Sequence, residues 1–231
     1  MKRLALFFLV ACFGAIMCYA KTYKVGDIYD ENGLKGVVIS VDATGEHGLI
    51  MHPEGFGGRW CKNEVEKETE AFDENDGAKN MEILENYIKE TGKSWELFPL
   101  FEWCRGLGEG WYIPANAELK ALASAINGGT MDYSEKNINN FSKIVKKIGG
   151  KGFINKGFGH PDEFMNIYSS TEVEGGTVFA LYFKENSSSA KATAMLGKFA
   201  KRKGTLELAP VYKTLGNIIV KTQYARAVHK F

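Results

Sequence analysis

The chain has 231 residues, of which 45% are hydrophobic, 25% charged and 13% aromatic, a balance that excludes disordered and fibrous classes. Its formal net charge of +1 offers no basic excess to favour nucleic acid as a partner.

In chain order, the first expected element is an export signal. Met1-Lys2-Arg3 is a basic start, Leu4 to Met17 is an apolar run, and Cys18-Tyr19-Ala20 places small residues three and one positions before Lys21. The run of about 14 residues falls short of the roughly 20 that span a bilayer as a helix, so residues 1–20 read as a signal peptide and not as a membrane anchor. The expected destination is the periplasm or the cell surface. A rival lies in Leu9-Val10-Ala11-Cys12, a lipobox-like string that would leave Cys12 as a lipidated N-terminus. Phe13 to Ala20 would then be an apolar stub where lipoproteins carry a polar tether. Loss of residues 1–20 removes Lys2 and Arg3 and turns the charge from +1 to −1. Residues 21–231 are expected to form a single domain.

Val37 to Val41 and Leu49 to Met51 read as strands flanking Asp42-Ala43-Thr44-Gly45-Glu46, whose Asp and Gly suit a hairpin turn. Three helical patterns follow. Met81, Leu84, Tyr87 and Ile88 share one face, with Asp76 as N-cap and Gly92 as the stop. The second helix is expected over Asn116 to Ile126, ended by Gly128-Gly129. The third is marked by Ile138, Phe141, Ile144, Val145 and Ile148, ended by Gly149-Gly150. Four β-favouring segments close the chain: Thr177 to Lys184, Ala190 to Met195, Ile218 to Lys221 and Tyr224 to Lys230. Strands, then helices, then strands predict an α+β fold with a mixed, mainly antiparallel sheet and two to three helices.

The export signal leaves two cysteines, Cys61 and Cys104. In an oxidising compartment such a pair suggests a disulfide, and its closure would contribute roughly 4 kcal/mol in the chain-entropy description. Two buried thiols are the alternative, because spacing does not show that the Cα atoms lie within bonding distance.

Catalytic signatures are sparse. The chain has no HExxH, GxSxG or CxxC, and Phe158 stands where a P-loop built on Gly152 and Gly157 would need Lys. Gly106, Gly108 and Gly110 miss the dinucleotide pattern. On one strand His47 and His52 would point to opposite faces, so they could not share a metal. Glu64, Glu66, Glu68, Glu70, Asp73, Glu74 and Asp76 could offer oxygens to Ca²⁺, but Gly77 occupies the fifth position where an EF-hand needs a ligand. A solvated loop running into a helix N-terminus is the plainer reading. Lys198, Lys201, Arg202 and Lys203 form a basic cluster. His160-Pro161-Asp162-Glu163 sets acids beside a proline, as lectin loops that hold Ca²⁺ do, though an ordinary turn built on Pro161 is the plainer reading.

Four stretches go beyond composition. Tyr23 to Ile50 (YKVGDIYDENGLKGVVISVDATGEHGLI) resembles the opening of a family of exported bacterial domains with the C-type-lectin-like fold, the group that includes the major paralogous domain of bacterial surface proteins. The family's Trp-Tyr-Leu-Pro-Ser-x-x-Glu-Leu block is matched by Trp111-Tyr112-Ile113-Pro114-Ala115-Asn116-Ala117-Glu118-Leu119. Its Trp-Ser-Ser-Thr-Glu block is matched by Tyr168-Ser169-Ser170-Thr171-Glu172. Its closing Val-Arg-Ala-Val-Arg-Ala-Phe is matched by Ala225-Arg226-Ala227-Val228 and Phe231. The resemblance implies that Trp111, Pro114, Glu118, Ser170, Glu172 and Arg226 are scaffold, and that the first and last strands are adjacent, with Val37 to Val41 near Tyr224 to Lys230. The family's Ser would cap the second helix and form a box with the Glu three residues on. Ala115 cannot, so Asn116 is expected to take over and the helix to begin one residue later.

The resemblance implies a non-enzymatic binding module without a required cofactor, with Ca²⁺ the one candidate ion. The calcium and sugar signatures Glu-Pro-Asn and Trp-Asn-Asp are absent, as is the cysteine pair of formylglycine-generating enzymes, which share the broader fold. From Leu119 to Tyr168 is 49 residues and from Glu172 to Arg226 is 54, which suggests enlarged loops at 128–167 and 185–215. These inserts are expected to bind a glycan or protein ligand through His160, Asp162, Glu163, Asn186, Lys198 and Arg202. An enzyme of formylglycine-generating or metal-assisted type, and a structural subunit of a surface assembly, which an exposed apolar patch or unpaired edge strand would support, are the alternatives.

Overall fold

The computed structural model describes residues 21–62, 68–153, 167–174, 176–196, 203–213 and 224–231. The signal segment 1–20 with Cys12, the strand expected at Ile218 to Lys221, and His160, Asp162, Glu163, Lys198 and Arg202 lie outside them.

The chain is α+β. Strands β1 (Ile28–Glu31), β2 (Leu34–Val41) and β3 (Gly48–Gly57) form a meander. Helices α1 (Gly77–Thr91), α2 (Pro99–Arg105), α3 (Asn116–Ile126) and α4 (Glu135–Lys147) follow. Then come β4 (Ile167–Val173), β5 (Thr177–Glu185), α5 (Ser187–Leu196), β6 (Gly204–Tyr212) and β7 (Tyr224–Lys230). The seven strands make one sheet in the order β1-β2-β3-β7-β4-β5-β6. Every pairing is antiparallel except that of β4 with β7, which meet at Ile167 and Tyr224. Among the described residues no helix is long and apolar enough to cross a membrane.

Both faces of the sheet are covered, which is why Val37-Val38-Ile39 is apolar without alternation. Val38 and Ile50 join a cluster with Leu84 of α1 and Phe101 of α2. Val37, Ile39 and Met51 join another with Leu119 and Leu122 of α3 and Phe141 and Val145 of α4. Period-2 alternation sends neighbouring residues to opposite faces, so a doubly covered strand must be apolar at every position.

The ends of the described chain close on each other. Gly48 and Phe231 exchange backbone hydrogen bonds of 3.1 and 3.0 Å, and the Phe231 ring lies 5.4 Å from that of Tyr23 and 4.7 Å from that of Tyr29. The strand that pairs with β7 is β3, however, through Leu49–Lys230, Ile50–His229 and Met51–Val228. Val37 to Val41 sits one strand further out, because the Asp42 turn folds β3 back between β2 and β7. That turn forms as its residues require: Asp42 Oδ1 accepts from the Thr44 and Gly45 amides at 3.0 and 2.8 Å.

Other expectations are corrected. Five α-helices stand among the described residues where two to three were expected. Ala190 to Met195 lies in helix α5, not in a strand: Ala190, Ala192 and Ala194 are the strongest helix formers, and only Thr193 is β-branched. The stretch 185–215 holds α5 and β6, and β6 pairs along its whole length with β5. Helix α1 is capped as expected, Asp76 accepting from Ala78 and Lys79 and Gly92 closing it in the left-handed conformation.

Helix α3 begins at Asn116, with Ala115 in the cap position, so Asn116 does not take over as cap. Tertiary acceptors satisfy its first amides instead. Asn116 N–H donates to Thr171 Oγ1 at 3.2 Å, Ala117 N–H to the Glu74 carbonyl at 2.8 Å, and Glu118 reaches back to the Ala115 amide at 2.8 Å.

Candidate functional site

The residues matched to the family blocks converge on one buried polar seam. The Pro114 carbonyl accepts from the Ser170 amide at 2.8 Å. Ser170 Oγ accepts from Asn80 Nδ2 at 3.0 Å, and the Ser169 carbonyl accepts from Trp60 Nε1 at 3.0 Å. Glu118 Oε2 receives the Gly77 and Ala115 amides, and its Oε1 the Tyr112 hydroxyl at 2.7 Å. Burial pushes the Glu118 carboxyl above the usual range, and the same burial raises Tyr112. Arg226 donates to the Pro53 carbonyl at 2.6 Å and the Lys151 carbonyl at 3.3 Å, with its guanidinium 4.5 Å from the centre of the Phe153 ring. Trp111 packs between His52 and His229, ring centres 4.8 and 5.3 Å away.

Glu172 is a heavily bonded carboxylate. Oε2 accepts from Thr69 N–H at 2.6 Å, Thr69 Oγ1 at 2.9 Å and Glu70 N–H at 3.1 Å, and Oε1 pairs with Lys213 Nζ. Lys213 carries no sequence motif and was legible only once β6 had brought it to Glu172. The acid run is structural where it is described. Asp73 accepts from Asn75 and Asp76 amides and from Lys79 Nζ at 2.9 Å, and the lysine foremost holds its carboxyl down at about 2. Glu64 and Glu66 lie outside the described residues. Among the described residues no group of three or more His, Cys, Asp or Glu side chains is placed to hold a metal ion.

Cys61 and Cys104 are thiols with no disulfide between them, both at 0% exposure within one apolar cluster. Burial raises the Cys104 thiol far above its ordinary range, which leaves it un-ionised and unreactive. The alternative of two buried thiols is therefore the one realised.

With these groups bonded internally, room for a ligand is left to surface clefts, three of which are lined by described residues. One of about 600 Å³ lies between Ile39 to Val41 and Ala121 to Gly129, and its side chains are apolar apart from Ser40 and Ser124. One of about 340 Å³ lies beside α1, between Glu68 to Glu70 and Glu90. The third, about 400 Å³, is lined by Glu74, Asn116, Lys120, Met131, Phe179 and Leu206 to Leu208. It gathers residues from both expected inserts, Met131 from the first and Leu206 to Leu208 from the second, against the N-terminal half of α3. Met131, Phe179 and Leu208 are half-buried, while Glu74 and Lys120 are exposed at the rim.

Asn116 gives this cleft its chemical character. It is 5% exposed, and its Oδ1 has no hydrogen-bond partner among the described residues. A buried amide oxygen of this kind costs about 1–3 kcal/mol. Sequence reasoning placed Asn116 as a helix cap; the capping acceptor from Thr171 is what leaves its side chain unused. Of the residues expected to bind ligand, Asn186 alone is described. It is exposed at the start of α5, its amide bonded to the Lys203 carbonyl at 2.8 Å, and it does not line the cleft.

No protein-family model matches the chain, and no curated protein matches it.

Proposed function

We propose that the chain is an exported, non-enzymatic binding module on a C-type-lectin-like scaffold, which takes a glycan or protein partner in the cleft between α3 and β6. The observation that carries this reading is the amide oxygen of Asn116, the sole buried side-chain N or O atom without a hydrogen-bond partner among the described residues, on a residue that lines a cleft together with Met131, Phe179 and Leu208. Convergence of a polar group with half-buried apolar side chains is the usual composition of a recognition site. The scaffold reading is supported by the terminal closure through Phe231 and by contacts among the residues of the family-like blocks. Non-enzymatic action is supported by the full hydrogen-bonding of Glu118 and Glu172 and by the burial of both thiols. Export is supported by the Met1 to Ala20 pattern.

The test is a glycan array, run with and without Ca²⁺, beside a displayed library of short peptides. A binder is expected in one class, weakened roughly tenfold or more by Asn116→Ala, which removes one recognition hydrogen bond and any bond the bound partner would leave unsatisfied. The variant's unfolding midpoint should stay level or rise, because an unsatisfied polar group is removed. No binder in either class, or one indifferent to Asn116→Ala, overturns the reading.

A further inference from the structure

The outer edge of β6 is half occupied by the chain itself. Leu206 N–H donates to the Met131 carbonyl at 2.8 Å and Tyr133 N–H to the Gly204 carbonyl at 2.9 Å, with Asp132 opposite Thr205 in an antiparallel bridge. In an antiparallel ladder successive residues direct their backbone groups to alternate sides. Gly204 and Leu206 therefore face outward, and so must Leu208 and Pro210. Continued in register, the bridging segment would set Gly129 opposite Leu208. It does not reach there. Gly128 and Gly129 adopt φ of +77° and +95°, and Gly129 N–H donates to the Ser124 carbonyl at 2.8 Å, which draws the chain back onto α3. Among the described residues no strand pairs with the Leu208 edge, and this edge borders the cleft that holds Asn116.

We propose that an extended peptide of a partner protein adds to β6 as an antiparallel strand beyond Met131, its residue opposite Leu208 exchanging two backbone hydrogen bonds. This deepens the reading of the cleft as a binding site and rests on it. Over Leu208, Pro210 and Tyr212 the open set is two N–H groups and three carbonyls at two-residue spacing, a pattern that a peptide backbone matches and a saccharide does not. Alternate side chains of the added strand fall on the α3 face, where Met131, Phe179 and Leu208 suit one apolar residue and the Asn116 amide a polar group beside it. Glu74 and Lys120 at the rim offer both charges to the flanking residues. A second copy of this chain is a poor fit: the Met131 to Tyr133 segment covers Gly204 to Leu206, and Pro210, which has no N–H, interrupts the remaining edge between Leu208 and Tyr212, so the open run is too short for edge-to-edge pairing.

The probe is a peptide selected from the displayed library on the purified protein, with affinity read by fluorescence polarisation. N-methylation of the residue opposite Leu208 should weaken binding roughly tenfold or more, whereas N-methylation of either neighbour, whose amide points away from β6, should change it less than about twofold. Leu208→Pro should abolish binding and Leu208→Val retain it; the N-methyl arm does not depend on how Leu208→Pro folds. A peptide that is indifferent to all N-methylations overturns the inference. So does a glycan that is lost with Asn116→Ala but kept with Leu208→Pro, an outcome that leaves the cleft reading standing. A selected peptide unaffected by Asn116→Ala and Leu208→Pro overturns both. Self-association without peptide, lost with Leu208→Pro, overturns the peptide in favour of a second copy.

Discussion

Lys213 Nζ is paired with Glu172 Oε1 in a site where neither side chain is more than 2% exposed, and the ammonium lies 5.6 Å from the centre of the Trp60 ring. The two partners are not equivalent. Removal of Lys213 leaves a carboxylate that still accepts from the Thr69 amide, the Thr69 hydroxyl and the Glu70 amide. Removal of Glu172 takes the carboxylate from a buried ammonium and orphans all three donors. Glu172→Ala should therefore destabilise by about 3–5 kcal/mol and Lys213→Met by clearly less, with the double variant recovering only part of the Glu172→Ala loss because the three donors stay orphaned. Urea midpoints of the three proteins check this; equal losses in both single variants would contradict it.

Helix α3 lacks a side-chain cap because position 115 is alanine. Ala115→Ser would supply a hydroxyl within reach of the Glu118 amide and complete the box that Glu118 already half forms. A gain of about 0.5–1 kcal/mol in unfolding free energy is expected. A loss would mean that the fully buried site has no room for the oxygen.

Gly110 has φ +78°, and a Cβ there would lie 2.3 Å from His229 Nε2. Gly110→Ala should cost more than about 2 kcal/mol, from backbone strain and the imidazole clash together. In a His229→Ala background the clash disappears and about 1–2 kcal/mol of strain remains. A double-mutant cycle on unfolding free energies reads this coupling, and strict additivity would refute it.

His52 is half-buried against Trp111 and Trp103, and burial, aided by the Arg226 charge and opposed by Glu54, holds its pKa below the usual 6.5. The fold thus favours the neutral ring, while the unfolded chain takes up a proton near 6.5. The stability this confers is complete above about pH 6.5 and is lost as pH falls below it towards the folded pKa. His52→Phe should flatten the stability curve between about pH 7 and 5 relative to the parent protein, as measured by thermal midpoints across that range.

Local patterns carried much of the fold. Asp42 and Gly45 sit in the turn that their chemistry demands, Asp76 and Gly92 bound α1, and the spacing of Leu119, Leu122 and Ile126 gives α3 its buried face. Each outcome depends on neighbours within a few residues. Helix α5 escaped the same reading, because alternating alanines satisfy a strand pattern as well as a helical one, and Asn186, which stands just before the helix, reads as a ligand contact as readily as a cap. Glu118 and Glu172 could be singled out from the blocks they belong to, but not the partners that neutralise or saturate them.

What the sequence determined by itself is therefore the α+β class, helix α1 with its Asp76 cap and Gly92 stop, and strand β2, all written in short-range patterns. Only the tertiary structure decided that Cys61 and Cys104 stay thiols, that Lys213 lies on Glu172, and that β3 rather than β2 meets β7. The physical reason is the same in each case. Bond formation across a sheet or between distant loops depends on where two segments are held in space, to within an ångström or so. Asn116 is the sharpest instance: its own propensity favours a cap, and a hydroxyl 55 positions away, on β4, takes the amide end of the helix and leaves the Asn116 Oδ1 without a hydrogen-bond partner among the described residues.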